Sequence, residues 1–258
     1  MPLQLPKNVH SALCKHIVGI SWVDAKTDPD GSGSSVSDYS PESGCLTAFA
    51  LRVSDFWFLA TAGHVLAGIN KRLSLGRRRI RSQVIGGFAS GARILSSPFE
   101  LDKAHVQYED ANGADYGFIL LHAFHVRGLI ADGVEPLRQL HWTNIPDSMD
   151  QKIQHALLGL PDQAQEVRMT EHNGGGRINL NIRIPSIPVY PAACPPEVSV
   201  DNGKRFCAQV PVAKGRFDDK SISVTDIAGM SGGPIFAVRR RQDNSFQYWI
   251  RAIQSSWI

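Results

Sequence analysis

The sequence predicts an all-β fold, and three features carry that reading. Short segments rich in β-branched and aromatic residues recur along the chain, breaks of Gly, Asn, Asp and Pro separate them, and helical periodicity between them is scarce. In chain order the strands fall at His16 to Val23, Cys45 to Val53, Phe56 to Thr61, Arg81 to Ala89, Gly91 to Ser96 and Tyr116 to His122. A second group follows at Ile153 to Gly159, Gln165 to His172, Arg177 to Ile184, Phe206 to Val210, Pro234 to Val238 and Tyr248 to Gln254. One helix is expected, Val65 to Leu73, because Val65, Leu66 and Ile69 fall on one side directly after His64.

The segments between the strands differ in texture. Asp24 to Gly44 is Ser, Gly and Asp with almost no apolar side chains, so it cannot bury enough surface to offset its ordering entropy and reads as a mobile loop. Ile130 to Asp150 carries Asp132-Gly133, Pro136 and Pro146-Asp147 and reads as a linker between two groups of strands. Pro185, Pro188, Pro191, Pro195 and Pro196 punctuate the stretch to Lys204, which reads as a surface loop.

Composition bounds the function. The 258 residues are 43% hydrophobic and 20% charged, which excludes a disordered or collagen-like chain. With 27 Lys plus Arg against 24 Asp plus Glu, the net charge is only +3. The clusters Arg77-Arg78-Arg79 with Arg81, and Arg239-Arg240-Arg241, are short and lack interleaved aromatics, so they read as solvated loops and argue against nucleic acid as a partner. Cys14, Cys45, Cys194 and Cys207 form no CxxC pair and read as mostly reduced and structural. His122 and His125 make an HxxH without a third ligand, so neither metal nor cofactor is expected. The first residues lack a signal-peptide pattern and no run reaches the roughly 18 apolar residues of a membrane helix. The expected location is cytoplasmic, with no membrane partner.

The chemistry concentrates in three segments. In IAGMSGGPIF, Ser231 stands between Gly229 and Gly232-Gly233, where glycine permits a turn that presents a hydroxyl and aims backbone N–H groups at one point. A serine nucleophile needs a histidine base and an orienting carboxylate. No histidine follows Ser231, which excludes the nucleophile elbow of α/β-hydrolases. The upstream candidate is His64 in FWFLATAGHVL, where an apolar strand runs into a short helix; His105, His122, His125, His141, His155 and His172 read as surface or half-buried side chains. Asp115 in GADYGFILL leads directly into an apolar strand, where its carboxylate can hold the Nδ1–H of His64. Asp102, Glu109 and Asp110 read as loop charges. A subtilisin-type order, with Asp24, Asp28, Asp38 or Asp55 before His64, requires long crossover helices that this strand-rich chain lacks.

LATAGHV around His64, ADYGFILL around Asp115 and GMSGGPIF around Ser231, in that order, resemble the trypsin-like (chymotrypsin-fold) serine peptidases. GCLTAF before the histidine strand, ALLGLP at Ala156 to Pro161 and the closing strand Trp249 to Ser255 are similar to bacterial members. The resemblance implies two six-stranded antiparallel β-barrels, residues 1–135 carrying His64 and Asp115 and residues 136–258 carrying Ser231, with the active site between them. It implies Ser231 as nucleophile, His64 as general base then acid, Asp115 as orienting carboxylate, and the backbone N–H groups of Gly229 and Ser231 as oxyanion hole. Thr225 would lie near the base of the specificity pocket and Ser255 near the edge that pairs with substrate.

The departures carry expectations too. Met230 stands where secreted members place the acid that receives a new N-terminus, and no cysteine adjoins Ser231. Both point to an intracellular bacterial or viral-type member, a serine protease acting on a protein or peptide substrate and restrained by a regulatory protein partner. The alternative is a catalytically silent scaffold that binds a peptide or protein by strand addition.

Overall fold

In the computed structural model the described residues are 5–26, 43–74, 78–88, 96–111, 114–143, 145, 152–162, 165–172, 175–182, 184–196, 205–211, 216–217, 222–223 and 226–255. The first half holds α1 (Lys7–Cys14), β1 (Ile17–Lys26), β2 (Ser43–Val53), β3 (Phe56–Thr61), α2 (Gly63–Ser74), β4 (Arg78–Ile85), β5 (Ser96–Phe99), β6 (Val106–Glu109), β7 (Tyr116–Leu120) and α3 (Ala123–Ala131). The second holds β8 (Ile153–Leu158), β9 (Gln165–His172), β10 (Gly175–Ile182), β11 (Ser186–Pro191), β12 (Ala208–Gln209), β13 (Arg216–Phe217), β14 (Ile222–Ser223), β15 (Pro234–Arg240) and β16 (Phe246–Ile253).

The chain is mostly antiparallel β-sheet. Its two main sheets have seven strands, ordered β5-β4-β1-β2-β3-β7-β6, and five, ordered β12-β11-β8-β15-β16. Strand counts of seven and five stand in place of six and six, and among the described residues no pairing joins the first and last strands of either sheet.

Strand alternation explains why the apolar runs read so clearly. Val18, Ile20, Leu46, Ala48 and Ala50 enter a core shared with Leu66 and Ile69 of α2 and Leu129 of α3. Ile17, Phe49 and Ala60 belong to the other core, shared with Val9 and Leu13 of α1 and with Ala156, Leu158, Phe236 and Val238 of the second sheet. Successive side chains point to opposite faces, and Ile17 to Ile20 of β1 and Leu46 to Ala50 of β2 are buried on both, so the sequence there is nearly continuous in apolar residues.

Several expectations need correction. Helices α1 and α3 were not anticipated; α1 is only eight residues and buries a narrow stripe of Val9, Leu13 and Cys14. The proline-rich stretch is not all loop, since β11 pairs with β8 through Ser186↔Leu158 to Val189↔His155. Pro188 is tolerated because, among the described residues, β12 meets β11 only at Tyr190 and Pro191, leaving Pro188 with a strand neighbour on one side. Residues 91–95, 27–42 and 197–204 lie outside the described residues, and with them most of the strand expected at Gly91 to Ser96 and much of both expected loops.

The stretch read as a linker is packed over its described part. Leu137 is fully buried, its N–H donates to Ala50 O at 2.8 Å, and its carbonyl accepts from Arg52 N at 2.8 Å. Most of the arginines read as loop charges belong to strands: Arg78, Arg79 and Arg81 pair along β1, and Arg239 and Arg240 close β15, with Arg239 over the Trp249 ring; Arg77 lies outside the described residues. His155 is buried at 4% exposure, not on the surface, because β8 lies in the middle of its sheet. Finally, Cys194 and Cys207 form a disulfide, with Cα atoms 5.2 Å apart, whereas Cys14 and Cys45 are free. Burial pushes both free thiols up to about 12, so these two remain protonated structural residues.

Candidate active site

Sheet register brings His64 and Asp115 together. Strands β3 and β7 pair antiparallel through Ala60↔Phe118 and Thr61↔Gly117. Carrying that register two residues onward sets Gly63 opposite Asp115, at the point where β3 gives way to α2. The approach requires glycine, since a Cβ at Gly63 would stand 2.0 Å from the Glu109 carbonyl oxygen.

Asp115 uses both carboxylate oxygens on His64. Oδ1 accepts the His64 backbone N–H at 2.8 Å and Oδ2 meets Nδ1 at 2.7 Å. A carboxylate contact fixes Nδ1 as the protonated nitrogen and leaves Nε2 to accept a proton. The charge also lies at the N-terminus of α2, where free N–H groups favour an anion. The Asp115 side chain is 16% exposed and that of His64 40%, so the acid is shielded while the imidazole reaches solvent. Glu109 and Asp110 are exposed and make no hydrogen bond to His64 among the described residues.

Ser231 sits in a turn built by glycine geometry. Gly229 and Gly232 have φ of +85° and +88°, values that side-chain-bearing residues rarely adopt. Asp226 Oδ1 accepts from Ala228 N, Met230 N donates to Ile227 O, and Gly233 N donates to Met230 O at 2.8 Å. Among the described residues the N–H groups of Gly229 and Ser231 donate to no carbonyl of the protein, so both remain available to a ligand.

Two buried threonines fix this turn against the first sheet. Thr47 Oγ1 accepts from Leu160 N at 2.8 Å and donates to Gly229 O at 3.0 Å, while Thr61 Oγ1 donates to Thr47 O at 2.7 Å. A Cβ on Gly232 would lie 2.0 Å from Thr61 Oγ1 and 2.9 Å from Ala62 N, so the residue after Ser231 is in contact with the end of β3 and with Ala62, two residues before His64. Met230 is fully buried beside Ile227, Leu157 and Ile235, anchoring the turn in apolar packing.

The expected site residues thus fall as follows. His64 and Asp115 are joined directly, and the turn holding Gly229 and Ser231 abuts the same strand end. Ser231 Oγ makes no hydrogen bond among the described residues, to His64 or to any other group. Ser255 is half-buried just beyond β16, and Thr225 lies outside the described residues. Among the described residues no group of His, Cys, Asp or Glu is arranged to hold a metal ion.

Thr47, Thr61 and Gln254 were missed by sequence reasoning. The signal for the threonines was a hydroxyl inside the apolar runs CLTAFAL and FWFLAT, since a buried hydroxyl must find partners. Gln254 joins the site through its backbone, its N donating to Gly233 O and its O accepting from Gly232 N, both at 2.8 Å.

No family model matches the chain, and no curated protein matches it. Among solved structures it is similar to a thermostable serine protease, AL20, from an extremophilic microorganism. The match has 11% identity and a TM-score of 0.39, over 95% of this chain and 93% of that one.

Proposed function

We propose that the chain is a serine endopeptidase of the trypsin-like kind, with its site where two barrels meet. The observation that carries the reading is the two-point contact of Asp115 with His64 at the strand end against which the Ser231 turn is packed. In the reaction, His64 Nε2 takes the Ser231 hydroxyl proton as Oγ attacks the substrate carbonyl carbon. The N–H groups of Gly229 and Ser231 stabilise the resulting oxyanion. His64 then protonates the departing amine, leaving an acyl-Ser231 that water hydrolyses by the same proton path. Thr225 is assigned to the base of the specificity pocket and Ser255 to the edge that pairs with substrate. A regulatory protein partner restrains the activity; equal specific activity of the isolated chain and its native complex would sink that part.

The second reading is a silent scaffold that binds a peptide or protein, and it is favoured by Ser231 Oγ, which among the described residues makes no hydrogen bond to His64. Labelling with a fluorophosphonate, read by intact mass, separates the two. One adduct per chain is expected, lost in Ser231→Ala and strongly slowed in His64→Ala; a folded protein that takes no label has no activated serine.

On location, no described helix is long and apolar enough to cross a membrane. The Cys194–Cys207 disulfide corrects the reading of the cysteines as mostly reduced, and such bonds persist mainly in oxidising compartments.

A further inference from the structure

Gln254 follows directly on β16, with 7% of its surface exposed, and among the described residues neither Oε1 nor Nε2 has a hydrogen-bond partner. Buried amides are rarely left this way. Its backbone is the strap that holds Gly232 and Gly233, so the residue lies beside the turn that carries Ser231. Ile253 packs toward the core shared with the first sheet. Alternation therefore directs Gln254 to the side of Ala252, which packs with Ile227 and Met230 of the serine turn.

We infer that Gln254 reads the side chain of the substrate residue whose carbonyl Ser231 attacks, and that this side chain is a carboxamide, as in glutamine. The inference rests on the peptidase reading above. A primary carboxamide is both donor and acceptor, so paired head to tail it answers both orphaned atoms of Gln254 at once. A cationic side chain leaves the Nε2 hydrogens unanswered. A carboxylate leaves Oε1 unanswered. Farther along the same sheet, Arg251 Nε and His155 Nε2 are also unpartnered, and both side chains pack on the Phe206 ring. They are the groups a carboxylate would have to reach, which makes glutamate the critical comparison.

The test uses four peptidyl aminocoumarins that differ only in the residue before the scissile bond: glutamine, methionine, glutamate and lysine. Active Ser231 in the full chain is first titrated with the fluorophosphonate. Methionine has the length of glutamine without its polar atoms, so kcat/KM for glutamine should exceed that for methionine by about tenfold or more. Gln254→Met should bring the ratio toward one. Equal rates for glutamine and methionine in the unaltered protein overturn the inference, as does faster turnover of glutamate or lysine. These comparisons stand whether or not the variant folds. Labelling of Ser231 without preference for the glutamine substrate, turnover of none of the four included, removes this inference alone. Failure to label removes the peptidase reading and the inference with it.

Discussion

Thr47 gives its hydroxyl hydrogen to the carbonyl of Gly229 at 3.0 Å, joining residues 182 positions apart. The same oxygen takes the N–H of Leu160, so one buried side chain satisfies two backbone groups of the second half from a strand of the first. Thr47→Val keeps the shape and strands both groups. We expect a stability loss of about 1–3 kcal/mol in a urea melt, together with slower fluorophosphonate labelling. A variant as stable and as reactive as the parent would show that the contact does not position the turn.

Asp115→Asn tests the orientation of His64. The amide can present N–H to Nδ1 and hold the imidazole in the wrong tautomer, so kcat should fall by about 10⁴ with KM little changed, the behaviour of such triads elsewhere. A fall of only a few fold would assign Asp115 to capping α2 alone.

His16 makes stability depend on pH. It is 1% exposed; Nδ1 donates to Glu135 O at 2.6 Å and Nε2 accepts from Tyr248 OH at 2.8 Å, an arrangement that suits the neutral ring. Burial is the main cause that lowers its pKa from 6.5 to about 4. The unfolded chain therefore binds a proton that the folded one refuses. This contribution is complete above pH 6.5 and is lost as pH falls to about 4, amounting to about 3 kcal/mol. An NMR titration should show His16 neutral at pH 5.5; half-protonation near 6.5 would refute the assignment.

The disulfide closes a loop with a sequence separation of 13, for which chain entropy gives about 3 kcal/mol. Reduction, or Cys194→Ser with Cys207→Ser, should lower the unfolding midpoint in urea by a corresponding amount. An unchanged midpoint would mean that this loop adds nothing to global stability.

Much of this could be read from the chain. Strands buried on both faces, such as Leu46 to Ala50 of β2, show as apolar runs, and the partnership of His64 with Asp115 follows from two apolar strands, one running into His64 and the other starting just after Asp115. What escaped was set by contacts across long separations. α1 carries His10 and is too short for its stripe to stand out, β11 hides among prolines that only an unshared edge permits, and the Cys194–Cys207 pair needs the approach of two loop segments. Nothing local marks Gln254, because the absence of partners for an amide is a property of its surroundings.

The seat of Met230 ties the serine turn to the interior of the second sheet. Its side chain is fully buried among Ile227, Leu157 and Ile235. Any substitution that loosens this apolar packing is therefore felt one residue away, at the segment that presents Ser231, without touching a polar group of the site.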